Sequence, residues 1–169
     1  MAVVEYDVGL ALKTYMATHT SDSEETVLLD AMANSRTSLF EITETMPREH
    51  QLVYQDRLNP TMGKVSLTDV ALSNTAQPGL VIFTRTLHIA GFNMSSGIGF
   101  LFKGDLKNYL IKRHKAVMKK VPADSADLRR YVAFFKLYRS EGLPATFENL
   151  GKWLQPVERK ALAQAERQA

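Results

Sequence analysis

The 169-residue sequence predicts an α+β fold: an antiparallel sheet, or a small curled barrel, over about residues 37–103, flanked by an N-terminal α-hairpin and C-terminal helices. Three observations predict it. Apolar residues recur at three- and four-residue spacing before residue 36, alternate with polar ones from about 37, and return to helical spacing after Lys103-Gly104. The β part is a run of short strands joined by tight turns, which favours antiparallel pairing. On this reading 1–36 is a helical hairpin, 37–103 a β module and 104–169 a basic helical region, packed as one compact unit.

Each element follows from its residues. Val4, Val8, Leu12, Tyr15 and Met16 mark one face of a helix over 3–19. Asp22 or Ser23 caps a second over 24–33, where Glu24 and Glu25 lie at the positive end of the helix dipole. That helix is expected to bury Val27, Leu28, Ala31 and Met32 against the first. Phe40 and Ile42 then alternate with Glu41 and Thr43, and after Met46-Pro47-Arg48-Glu49 so do Leu52, Tyr54 and Leu58 with their neighbours. Asn59-Pro60-Thr61-Met62-Gly63 reverses the chain. Val65 and Leu67 begin another strand, and a bulge near Thr68-Asp69 would bring Val70 and Leu72 into line. Residues 80–89, apolar on both faces at their start, read as the central strand. Ser95-Ser96-Gly97 reads as the turn before Ile98, Phe100 and Phe102.

Asp105 is expected to cap a helix running to about Lys120, with Leu106, Tyr109, Leu110 and Val117 inward and Lys112, Lys115 and Lys119 outward. Pro122 stops it. Asp124 or Ser125 caps 128–139, with Leu128, Val132, Phe135 and Leu137 or Tyr138 inward and Gly142 as a C′ glycine. Residues 147–154, holding Trp153, and 157–168, opened by Pro156, read as two last helices.

Composition narrows the function classes. With no cysteine there is no disulfide scaffold, thiolate metal site or cysteine nucleophile. The longest apolar run, Leu80-Val81-Ile82-Phe83, is far short of the roughly 18 residues of a membrane span. The first residues lack the basic-then-apolar order of a secretory signal, so the expected location is the cytoplasm and no membrane partner is expected. The net charge of +3 is unevenly spread: 1–60 carry four basic and ten acidic residues, 103–169 fifteen basic and seven acidic. The basic third could face nucleic acid, phosphate or anionic lipid, or could pack near the acidic third so that the two fields cancel.

Ser38-Leu39-Phe40-Glu41-Ile42, Asp56-Arg57-Leu58, Asp69, Leu72-Ser73, Pro78-Gly79, Arg85 and Ser96-Gly97 occur in an order that resembles a β-rich module of uncharacterised bacterial proteins. Some of those proteins end in a cysteine-rich SEC-C zinc tail, which this chain lacks. The resemblance covers about 35–103 and implies an α+β fold with no assigned activity.

Candidate chemistry is sparse. Arg85 shares strand parity with Val81, Phe83, Leu87 and Ile89, so its guanidinium needs a partner such as Asp56 or Asp69, or an anionic ligand. With His88 these residues define a candidate ligand pocket, and an enzyme reading depends on their converging. His19, His50, His88 and His114 have no metal-ligand spacing, so no metal or other cofactor is expected. Ser95-Ser96-Gly97-Ile98-Gly99 lacks the context of a phosphate loop or a nucleophile elbow, and no catalytic residue is assigned. The most numerous feature is the cationic set at 103–139, with Lys112, Lys115, Lys119, Arg129 and Arg130 as candidate nucleic-acid contacts. The sequence thus favours a non-enzymatic binding or interaction protein, its partner a protein or an anionic ligand. The alternatives are a nucleic-acid-associated protein using the 103–139 surface and an enzyme with a pocket at Arg85. A sheet edge or the Trp153 region would serve a homo-oligomer.

Overall fold

The computed structural model of the protein describes residues 8–19 and 22–143. The helices expected at 147–154 and 157–168, and the first residues of the one at 3–19, lie outside them. The chain runs through α1 (Val8–Thr18), α2 (Ser23–Ala33), β1 (Arg36–Met46), β2 (Gln51–Asp56), β3 (Val65–Thr68), α3 (Val70–Thr75), β4 (Val81–Ile89), β5 (Phe92–Phe102), α4 (Lys107–Met118) and α5 (Ala126–Glu141). The strands form one five-stranded antiparallel sheet of order β3-β2-β1-β4-β5. This is the α+β architecture the hydrophobic pattern predicts.

The alternation within β1 sorts its side chains onto the two faces of the sheet, and each face carries its own core. On one, Phe40, Ile42, Leu52, Tyr54, Leu67, Ile82 and Leu101 pack together beneath Leu72 of α3. On the other, Leu39, Val81, Phe83, Phe100 and Phe102 meet Leu110 of α4 and Phe134 and Leu137 of α5. Phe83 and Phe134 stack at a centroid distance of 4.1 Å, which fixes α5 over the middle of β4. Both faces of β4 are therefore buried, as expected, yet β1 and not β4 is the central strand.

Two edges of the sheet approach one another. Asn93 Nδ2 of β5 donates to the Ser66 carbonyl of β3 at 3.0 Å, so the sheet curls. A side chain makes that bridge, and no ladder joins β3 to β5, so the barrel alternative does not hold. The curl has a local cause. Between Thr84 and Thr86 the β4–β5 register shifts, with Gly99 opposite the first and Ser95 opposite the second. Ser96-Gly97-Ile98 bulges out there, and Gly97 takes a φ of 81°. The segment expected to be a turn is thus a bulge inside one long strand; the hairpin closes at Ala90-Gly91, where Gly91 has φ 95°.

Other expectations are corrected. Asp69 is not within a strand: its Oδ1 accepts the Leu72 N–H at 2.8 Å and caps α3, so Val70 and Leu72 are helical. α2 is capped by Asp22 as expected, but Leu29 and Ala31 are its buried residues while Val27, Leu28 and Met32 are exposed. The reason is that α2 packs on β4 as well as on α1. Asp105 lies in a short 3₁₀ turn, Gly104–Leu106, and does not cap α4. Gly104 is needed for close approach: a Cβ there would strike the Gly79 carbonyl oxygen. In α5, Ala133, Phe134 and Leu137 face inward, whereas Phe135 and the Tyr109 ring of α4 are exposed.

Candidate anion-binding site

α4 is amphipathic in a way that fixes where its lysines go. Leu110 and His114, four residues apart, are buried, so Lys112, Lys115 and Lys119 project from the solvent side. His114 is held between the helices: its Nδ1 donates to the Leu110 carbonyl at 3.1 Å and its ring stacks on Phe134 at 5.2 Å. Burial holds its pKa below the usual histidine range. Backbone hydrogen bonds at Leu110 and Ile111 oppose that shift, and the charges of Lys115 and Arg130 add to it.

The chain leaves α4, crosses Pro122 and enters α5 where the Ser125 hydroxyl accepts the Leu128 N–H at 3.4 Å. Arg129, in the first turn of α5, reaches back into this connection. Its Nη1 donates to the carbonyls of Ala123 at 2.6 Å and Asp124 at 3.3 Å, so the guanidinium is pinned to the loop. Between the two helices lies a cavity of about 450 Å³ lined by Lys115, Met118, Lys119, Val121 and Arg129. Among the described residues the lining joins three cations to the apolar Met118 and Val121 and includes no carboxylate.

Of the five cations singled out from sequence, Lys115, Lys119 and Arg129 therefore meet at one cavity. Lys112 is exposed about one turn earlier on α4. Arg130 is engaged elsewhere, with Nη1 3.1 Å from the Asp127 carboxylate. Met118 and Val121 were not singled out. The signal for Met118 is its three-residue spacing from Lys115 on one helix face, but Val121 lies in a loop that periodicity does not describe.

Arg85, Asp56, Asp69 and His88 are distributed differently. Among the described residues no hydrogen bond or ion pair joins any two of them. Arg85 donates from Nε to the Thr37 hydroxyl at 3.2 Å, its cross-strand neighbour. Asp56 lies opposite Phe40, on the other face of the sheet, and β1 separates its strand from Arg85. Its cation is Arg36, with Nη2 at 3.4 Å from Oδ2. Its Oδ1 also accepts the Ser38 hydroxyl at 2.7 Å and the N–H groups of Leu58 and Asn59, both at 2.9 Å. Asp69 accepts the Ser95 hydroxyl at 3.5 Å in addition to capping α3. His88 is exposed and bonds Asn93 at 2.8 Å.

Two further polar centres stand out: Glu41, for which the sequence offers only the possibility of an acid pair with Asp56 or Asp69, and Tyr54. Glu41 accepts Lys107 Nζ at 2.8 Å and is also held by Arg57. Desolvation alone would raise its pKa; the hydrogen bonds and charges of Lys107 and Arg57 outweigh it and bring the carboxyl below its ordinary range. Tyr54 is buried with its hydroxyl unpartnered, and burial, with the nearby charge of Asp69, pushes that phenol's pKa up. Among the described residues no three His, Asp or Glu side chains gather in a metal-sized cluster. No described helix is long and apolar enough to cross a membrane.

A sequence-family match covers residues 5–148. The chain belongs to DUF7986, a family of unknown function. The matched region takes in α1 through α5, beyond the 35–103 stretch of the β-module resemblance, and nothing in it supports the link to proteins with a SEC-C tail. Neither a curated protein nor a solved structure matches the chain.

Proposed function

We propose that this DUF7986 member is a non-enzymatic binding protein of the cytoplasm that holds nucleic acid against α4 and the start of α5. The observation that carries the proposal is the grouping of Lys115, Lys119 and Arg129 around one cavity. A second observation supports it. Had the acidic and basic thirds neutralised each other, ion pairs would run between them. Among the described residues only Lys107 with Glu41 does so, and Lys112, Lys115 and Lys119 pair with no carboxylate. Cations free of partners and spaced along a helix suit the phosphates of a polyanion, whose bound counterions they displace. The separation of Arg85 from Asp56, Asp69 and His88 weighs against an enzyme built on those residues.

The test is binding of a mixed DNA and RNA pool followed by fluorescence anisotropy. Wild type should bind at about 50 mM salt and lose roughly 20- to 40-fold in affinity by about 200 mM if three phosphates are contacted. Lys112→Glu/Lys115→Glu/Lys119→Glu should abolish binding. Absence of wild-type binding at about 50 mM salt ends the proposal.

A further inference from the structure

The cavity between α4 and α5 is more than a patch of charge. Its lining sets two apolar side chains, Met118 and Val121, among three cations. A duplex presents phosphates outward and keeps its bases stacked inside, so the apolar pair gains nothing from it. A single strand differs, because its bases can be turned out and laid on a protein surface. The cavity's volume, about 450 Å³, falls within the span of roughly 300–1,000 Å³ typical of small-ligand sites, which suits one nucleotide and not a helix.

The cations also have the right division of labour. Arg129 is immobilised through Nη1 by the carbonyls of Ala123 and Asp124, so a planar group is fixed at the cavity wall before any ligand arrives. A fixed guanidinium plane stacks on a base as well as pairing with a phosphate. Lys115 and Lys119 are exposed and carry point charges on flexible stems, suited to following a backbone. The half-buried Met118 offers a polarizable thioether to the face of an aromatic ring.

Resting on the nucleic-acid reading above, we infer that the cavity formed by Lys115, Met118, Lys119, Val121 and Arg129 selects single-stranded nucleic acid by seating one unstacked base on Met118 and Val121, with the flanking phosphates on the lysines. The experiment compares three ligands of about 12 nucleotides, a length within known single-strand sites: oligodeoxythymidylate, an abasic strand and a duplex. At one low salt concentration the thymidylate should bind at least about tenfold more tightly than the abasic strand, since one stacked base contributes on this order. The duplex should match the abasic strand or bind more weakly.

Met118→Gln, which keeps length and helix propensity, should bring the thymidylate and abasic affinities to within about twofold of each other. Lys115→Glu/Lys119→Glu should weaken both strands. Equal wild-type affinity for the base-bearing and abasic strands overturns the base seat while leaving the nucleic-acid reading intact. A Met118→Gln protein that retains the wild-type preference overturns it equally. Failure of all three ligands to bind removes the nucleic-acid reading and the base seat with it.

Discussion

The charges at the β1–β2 end of the sheet and those at the α4–α5 corner contrast sharply. At the first, Asp56 is 1% exposed and accepts bonds from Ser38, Leu58, Asn59 and Arg36, while Glu41 joins Arg57 to Lys107. Both Asp56 oxygens and Glu41 Oε2 are committed to holding strands, a loop and a helix together. At the second, Lys112, Lys115 and Lys119 are exposed and, among the described residues, ion-paired with no carboxylate. Charge buried and satisfied acts on stability; charge exposed and unsatisfied acts on binding. Each region predicts what the other should not do.

The largest effect belongs to Asp56. Asp56→Ala strands the Arg36 guanidinium, the buried Ser38 hydroxyl and the part-buried N–H groups of Leu58 and Asn59, and should cost about 3–5 kcal/mol in urea unfolding. A loss under about 1 kcal/mol would show that the hub is not structural. Glu41→Gln should cost less, about 1–2 kcal/mol, because two charge-assisted bonds weaken while the shape persists. Its pH dependence has a definite sign. The folded-state pKa is depressed, so Glu41 contributes stability that is full above its unfolded value of about 4.3 and is lost as pH falls through the folded value. The gap between wild type and Glu41→Gln should therefore close below about pH 4, and a gap that persists there contradicts the assignment.

His114 offers a test at the boundary between the two regions. Its folded pKa is also depressed, so the unfolded chain takes up the proton first as pH drops below about 6.5. Wild-type stability should decline from that pH downward, and His114→Phe should flatten the decline. The smallest stability effect is expected from Lys112→Glu/Lys115→Glu/Lys119→Glu: within about 0.5 kcal/mol per site, though binding is lost. Unfolding of that triple variant at neutral pH would place those lysines with the structural charges after all.

The sequence carried the change of period from helix to strand and back because that signal is local. It is written in Phe40 and Ile42 against Glu41 and Thr43, and in the spacing of Lys112, Lys115 and Lys119. What it did not carry depended on third parties. Arg85 and Asp56 looked like partners only until strand order was known, since β1 separates their strands and the pleat sends them to opposite faces. Val70 and Leu72 suited a strand until Asp69 supplied a cap, and a six-residue helix is too short for periodicity to declare itself. The cavity lining was hidden for a similar reason: Val121 is in a connection, and only the return of α5 brings Arg129 to it.

One contact at the other end of α4 bears on where the lysine stripe sits. Gly104 lies so near the Gly79 carbonyl that backbone touches backbone at the point where the chain leaves the sheet for α4. At that end the spacing of chain and sheet is set by main-chain atoms, while Leu110 sets it farther along α4. Exchanging a lysine of α4 leaves the helix where it is, but Gly104→Ala should tilt the whole stripe at once, moving every cation on α4 without altering any of them.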